Sequence, residues 1–176
     1  MMIDRILSDV RYLEKINRLN EIEKDRIYCK HDLDHFQEVY QILSILSSRR
    51  GLDDSKKLSK TMAYFHDIGR ADSYDGNHRK SSSDFARILL GEYGISREEL
   101  DLICYAINNH SGRIEVQDAY YYIDNNMVED SLRDTWAKLL RISDQLSRNC
   151  YICKANAICK WLEGEKTNEN WKQRIC

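Results

Sequence analysis

Two side chains in the segment MAYFHDIGR, residues 62–70, can do chemistry together: the imidazole of His66 and the carboxylate of Asp67. They end an apolar run, stand before Gly69 and are followed by the cation Arg70. Neighbouring residues on a helix point about 100° apart, so both reach one metal ion only at a distorted or terminal turn, which Gly69 is placed to provide. Residues of ligand type recur on other apolar stripes. His35 shares a helical face with Val39, Ile42 and Leu46, and His110 follows Ile107 and Ile103 by three and seven residues. Asp144 follows Leu140 and Ala137 by four and seven, and His78 precedes Phe85 and Leu89 by seven and eleven. Taken singly, each is an ordinary core histidine or helix-surface aspartate. Taken together they ask for a compensating cation, because burying two carboxylates without one is costly. Neutral imidazole with carboxylate is the usual donor mixture for a divalent metal.

The elements that must position these groups read as helices almost throughout. The absence of proline permits long helices, and hairpin signals are missing, YDGNH being the nearest. Ile3, Ile6, Leu7, Val10 and Leu13 form a first amphipathic stripe. A second helix spans about 32–50 and stops at Gly51, with Phe36, Val39, Leu43 and Leu46 on one face. A third is capped by Asp53 or Asp54 and carries Leu58, Met62 and Phe65. SSSDFARILLGEYG reads as capped by its serines and ended by glycine, and Ser96 with Glu99 makes a capping box for the next helix. EDSLRDTWAKLLRISDQLSRN is a long amphipathic stretch, and a last helix is expected over 151–162, followed by a polar tail that frays. SGRIEVQDAYYYIDNN fits either a loop or a short helix. With no internal repeat or linker, the expectation is one all-α domain over residues 1–176, with its core at about 25–150 and a cysteine-bearing helix and tail over 150–176.

Against this helical background the sequence resembles the HD-domain metal-dependent phosphohydrolases. His35, His66-Asp67 and Asp144 match that family's H…HD…D signature; HFQEV, FHDIGR, YAINNHSG and LLRISDQLSR resemble its successive motifs, in order, over about 32–148. The resemblance implies an all-α bundle in which His35, His66, Asp67 and Asp144 hold a first metal. It further implies that His78 and His110 stand where two-metal members place extra ligands, with Asp67 bridging. Some of those members have paired histidines where this chain has Asn109-His110, and the GYP-type extension of the cyclic-di-GMP branch is missing. The fifth histidine, His31, four residues before His35, reads as exposed or lining the entrance.

The chemistry implied is hydrolysis of a nucleotide or another small phosphate ester. A divalent ion lowers the pKa of its water and neutralises charge on phosphoryl oxygens, and the mixed donors suit Mn, Fe, Co or Zn, as one or two ions. Asp67 and Arg70 are the expected catalytic pair. Arg70, Arg113 and Arg148 are the candidate phosphate contacts, Arg113 equally readable as a surface arginine, and Asp72 is a candidate acid or base. The alternative is a non-catalytic module that keeps a metal or a nucleotide without turnover. The partner is a small phosphate-containing molecule, and a homodimer is compatible with it.

The six cysteines allow a third reading, a redox or sensor protein. Cys150-x-x-Cys153 is half of a zinc or iron–sulfur site, and Cys159 follows. On one continuous helix Cys150 and Cys159 face opposite ways. A joint site needs a turn between them and a fourth ligand from Cys29, His31 or Cys176; otherwise these are reduced thiols, as Cys104 is expected to be. Composition excludes other classes. Hydrophobic residues at 42% and charged residues at 32% argue against disorder, and a net charge of −2 gives no reason to expect nucleic acid. No apolar run approaches the ~20 residues of a membrane span, and the start lacks the order of a signal peptide, so a cytoplasmic protein with no membrane partner is expected.

Overall fold

The computed structural model describes residues 2–52, 55–72 and 77–175, without the side chain of Ser55. Asp53, Asp54, the YDG of YDGNH and Cys176 lie outside the described residues. Among the described residues every regular element is helical, as the spacing predicts. Helices α1 (Met2–Leu7) and α2 (Val10–Glu23) lead to α3 (Leu33–Arg49) and α4 (Ser55–Phe65). A 3₁₀ turn (Ile68–Ala71) joins α4 to α5 (His78–Glu92), followed by α6 (Arg97–Asn109), α7 (Val116–Asp124) and α8 (Leu132–Leu146). Three short 3₁₀ turns and α9 (Trp171–Ile175) complete the chain.

The helix starts follow their caps. Asp32 accepts a hydrogen bond from the His35 N–H (3.0 Å) at the head of α3, Ser96 from the Glu99 N–H (3.2 Å) at α6, and Ser131 from the Asp134 N–H (3.2 Å) at α8. Gly51 and Gly94, at φ +62° and +80°, end α3 and α5 in the left-handed region. Helix α3 packs on α4 and α8, α6 on α5 and α8, and α2 covers the 3₁₀ turn. Phe36, Val39, Leu43, Leu46, Met62, Phe65 and Ile68 are fully buried in the middle of this arrangement.

Four local expectations change and one open reading closes. The first amphipathic stripe breaks at Ser8, because the Asp9 side chain accepts from the Arg11 N–H (2.9 Å) and starts a new helix. The new register buries Tyr12, Ile16 and Leu19 and leaves Val10 at 65% exposure. Helix α5 begins at His78, so Ser81, Ser82 and Ser83 lie inside it rather than capping it. The ambiguous 111–126 stretch contains helix α7. The expected helix over 151–162 does not form: the chain there makes 3₁₀ turns at Cys150–Ile152 and Asn156–Ile158, then runs to a third at Glu163–Glu165. Ile152, Ile158 and Leu162 are exposed, so the segment has no apolar face with which to dock a helix. The tail beyond it is anchored rather than frayed, with Trp171 and Ile175 buried.

Candidate metal centre

Five elements deliver one polar cluster into the core. His35 comes from the first turn of α3, His66 and Asp67 from the turn after α4, His78 from the start of α5, His110 from the end of α6, and Asp144 from the last turn of α8. The terminal-turn geometry expected for His66-Asp67 is present, since α4 ends at Phe65. Gly69 contributes by close approach: a Cβ there would lie under 3.0 Å from the His78 carbonyl oxygen and the Ser82 nitrogen. That proximity, with the Gly69 N–H donating to Ser82 Oγ (2.8 Å), seats the head of α5 against Asp67.

Asp67 is the hub. Its Oδ1 lies 3.3 Å from His78 Nε2 and 3.7 Å from His110 Nε2. Its Oδ2 lies 2.6 Å from Arg70 Nε, 3.4 Å from His31 Nε2 and 3.9 Å from His66 Nε2. Asp144 Oδ1 stands 3.4 Å from His35 Nε2 and 3.8 Å from His66 Nε2. Two sets thus have donor atoms all within 4.8 Å of one another: His35, His66 and Asp144, and His66, Asp67 and His110. His66 belongs to both, so two buried clusters capable of coordinating one or two divalent ions meet at one residue.

The hydrogen bonds behind the imidazoles decide which ring nitrogen faces the centre. His66 Nδ1 donates to the Ala63 carbonyl (2.7 Å) and His110 Nδ1 to the Ile107 carbonyl (2.6 Å). The Ser147 hydroxyl donates to the Asp144 carbonyl (2.7 Å), so its oxygen accepts from His35 Nδ1 (3.2 Å). With Nδ1 carrying the proton, each Nε2 presents a lone pair toward a carboxylate oxygen. Buried lone pairs facing one another require a cation between them. His35 Nε2, His66 Nε2 and Asp67 Oδ1 are indeed buried without a hydrogen-bond partner, which is the arrangement a metal would complete.

The electrostatics agree with a cation site. Burial pushes the His66 imidazole down to about 3 and His78 to about 4, so both keep their lone pairs near neutral pH. Burial pushes the Asp67 carboxyl up, but His66, Arg70 and the neighbouring imidazoles outweigh it and hold it well below the usual range. Asp144 is likewise held low against burial by His35 and Arg148. Burial favours neutral His110, yet the Asp67 carboxylate outweighs it and raises its pKa, a proton standing where a metal would neutralise the same charge.

The HD domain family matches residues 32–157, more than half of the sequence and all of the cluster except His31. The chain belongs to the HD domain family. A protein of Clostridium beijerinckii described only as uncharacterized is 30% identical over 163 residues, covering 92% of each chain. No solved structure matches the chain. An HD-domain fold with these buried His/Asp clusters supports metal-dependent phosphohydrolase activity.

This HD domain also departs from its sequence reading. His31 is buried rather than exposed: Glu23, at the end of α2, accepts from both its backbone N–H and its Nδ1 (2.7 Å each) and aims its Nε2 at Asp67. Glu23 itself carries no local signature, since its role depends on how α2 meets the head of α3. A Glu23→Gln variant, which loosens His31 beside Asp67, is expected to weaken metal binding by up to about tenfold, checked by titrating the metal-free protein with Mn or Co. Arg148 lies at the centre, with Nη2 3.5 Å from Asp144 Oδ2 and its guanidinium carbon 4.2 Å from the Trp161 ring centre. Arg113 is not brought to it; that side chain is 57% exposed, 3.6 Å from Glu165 and on the same indole. Asp72 is exposed and paired with Lys15 at 2.5 Å, away from the acid or base role considered for it.

Proposed function

We propose that this HD domain hydrolyses a nucleotide or another small phosphate ester, with His35, His66, Asp67 and Asp144 holding one divalent ion and Asp67, His78 and His110 a second. The observation that carries this reading is the set of buried atoms without a hydrogen-bond partner, His35 Nε2, His66 Nε2 and Asp67 Oδ1, gathered in one cluster of imidazoles and carboxylates. Ions bound there would supply a water of lowered pKa and neutralise charge on phosphoryl oxygens. The chain supplies the rest. Asp67 fixes the spacing of the two positions through its two oxygens. Arg70, braced on Asp67, and Arg148, braced on Asp144 and Trp161, offer guanidinium groups to the phosphate. Arg148 Nη1 is buried with no acceptor, a donor suited to a phosphoryl oxygen. A groove beside His35, lined by Lys30, Arg148, Asn149 and Lys172, gives the ester's leaving group a place to lie.

No described helix is long and apolar enough to cross a membrane. A cytoplasmic setting fits the reading, and Mn, Fe, Co and Zn are all compatible with the donors. The test is phosphate release by the purified protein, loaded with Mn, Co or Fe, across a panel of nucleotides and a generic phosphoester. Binding of metal without release from any substrate would sink the proposal. Within an active pair, Arg148→Ala is expected to raise KM about tenfold or more with a smaller change in kcat, since the lost contact holds ground state and transition state alike.

A further inference from the structure

Four cysteines outside the HD centre are gathered elsewhere. Because 150–165 runs as 3₁₀ turns rather than one helix, Cys150, Cys153 and Cys159 turn toward a common small cavity. Cys29, from the connection between α2 and α3, lines the same cavity, as do Tyr28 and Lys166. This meets the two conditions the sequence set for a joint site: a turn between Cys150 and Cys159, and a fourth ligand from far away in the chain. All four thiols are free.

The segment that carries three of them is poorly secured by apolar burial. Its buried apolar residues are Cys150 and Ala155, whereas Ile152, Ile158 and Leu162 stand 71%, 67% and 63% exposed. What ties it to the bundle in this structure is polar: the Gln145 side-chain amide donates to the Glu165 carbonyl (3.1 Å), and Arg148 and Arg113 lie over the Trp161 ring. A stretch that makes so little core needs another staple, and thiolate–metal bonds are one that small segments use. We propose that Cys29, Cys150, Cys153 and Cys159 bind an iron–sulfur cluster of the four-cysteine class, which ties the C-terminal segment to the α2–α3 connection.

The spacing favours a cluster over a single zinc. Four sulfurs bound to one zinc at ~2.3 Å stand about 3.8 Å apart. Among the described residues, the sets of three donors all within 4.8 Å of one another are the two imidazole–carboxylate sets, so no three of these sulfurs meet that limit. A four-iron cluster takes each thiolate on a separate iron of a larger core, so it does not need three sulfurs within that limit. Burial pushes the Cys29 and Cys150 thiols up, and Arg148 pulls both down, so a cation of the HD centre's groove also faces this site. The cluster would thereby fix the segment bearing Trp161, on which Arg148 rests.

The test is iron and acid-labile sulfide analysis of the full chain purified without oxygen, and again after reconstitution with iron and sulfide. About four sulfides per chain are expected, with a visible absorption that bleaches on reduction. Asp67→Asn should keep the sulfide, which separates this site from any iron in the HD centre. Cys29→Ser and Cys153→Ser should each lower sulfide more than tenfold, while Cys104→Ser, in α6, should leave it unchanged; helical circular dichroism checks that the bundle persists. Absence of sulfide after reconstitution overturns the proposal. One zinc per chain with no sulfide overturns the cluster as well, and four thiols still titratable in the native protein after reconstitution overturn the site.

Discussion

Asp67→Asn will abolish turnover, by at least about a thousandfold, and will release metal from both positions. The size follows from what the carboxylate does. Its two oxygens face different partners, His78 and His110 on one side and His31, His66 and Arg70 on the other. It is therefore the group best placed to serve two ions at once, and it contributes a negative charge that burial would expel if cations did not hold it there. The amide keeps the shape but withdraws the charge. Losing several kcal/mol of charge stabilisation at the phosphoryl group corresponds to a thousandfold or more in rate, at about 1.4 kcal/mol per tenfold. Two measurements separate this from simple unfolding. Metal analysis of the Mn- or Co-loaded variant should show those ions gone while helical circular dichroism stays near that of the parent, and added Mn or Co should raise the melting temperature of the parent but not of the variant. Full turnover with full metal content in Asp67→Asn would remove Asp67 from the mechanism.

Much of this centre was legible because helical periodicity marks which side of an element faces inward. His35, His110 and Asp144 extend apolar stripes, and a polar residue on such a stripe is conspicuous. His66 and Asp67 were legible for the opposite reason, since two adjacent polar residues cannot both extend one stripe. Distance in sequence hid the rest. Glu23 and His31 are ordinary surface types whose pairing depends on the turn between α2 and α3, which no local pattern specifies. Following His110 closely in sequence leaves the direction of Arg113 open, and its guanidinium runs to Glu165 and Trp161, the surface alternative. Over 151–162 the composition suits a helix, yet Ile152, Ile158 and Leu162 find nothing to pack on. Propensity without a docking face is too weak to hold a helix. The convergence of Cys29 with the three later cysteines belongs to the same class of long-range fact.

Gly69→Ala will unfold or loosen the centre although the new methyl touches no proposed ligand side chain. The added Cβ would lie under 3.0 Å from the His78 carbonyl oxygen, the Ser82 nitrogen and the Ser81 Cβ, two of them backbone atoms of a helix that cannot swing aside. Relief requires the head of α5 to lift off the 3₁₀ turn, which breaks the Gly69 N–H bond to Ser82 Oγ and carries His78 away from Asp67. Overpacking of this kind usually costs 1–3 kcal/mol, and rigid backbone puts this site at about 3 kcal/mol or more. For a chain of this size that is a fall in melting temperature of roughly 6–12 °C. The control is Gly91→Ala in the same helix, where the new Cβ meets only Leu100 Cδ1 at 3.7 Å, an ordinary contact. There the change replaces a poor helix former by the best one and should stabilise by up to about 1 kcal/mol. Opposite shifts from one substitution at two positions of known surroundings would tie the glycine of the HDIG motif to the seating of α5. If Gly69→Ala melts like the parent and keeps its metal, the close approach at the 3₁₀ turn does not position the centre.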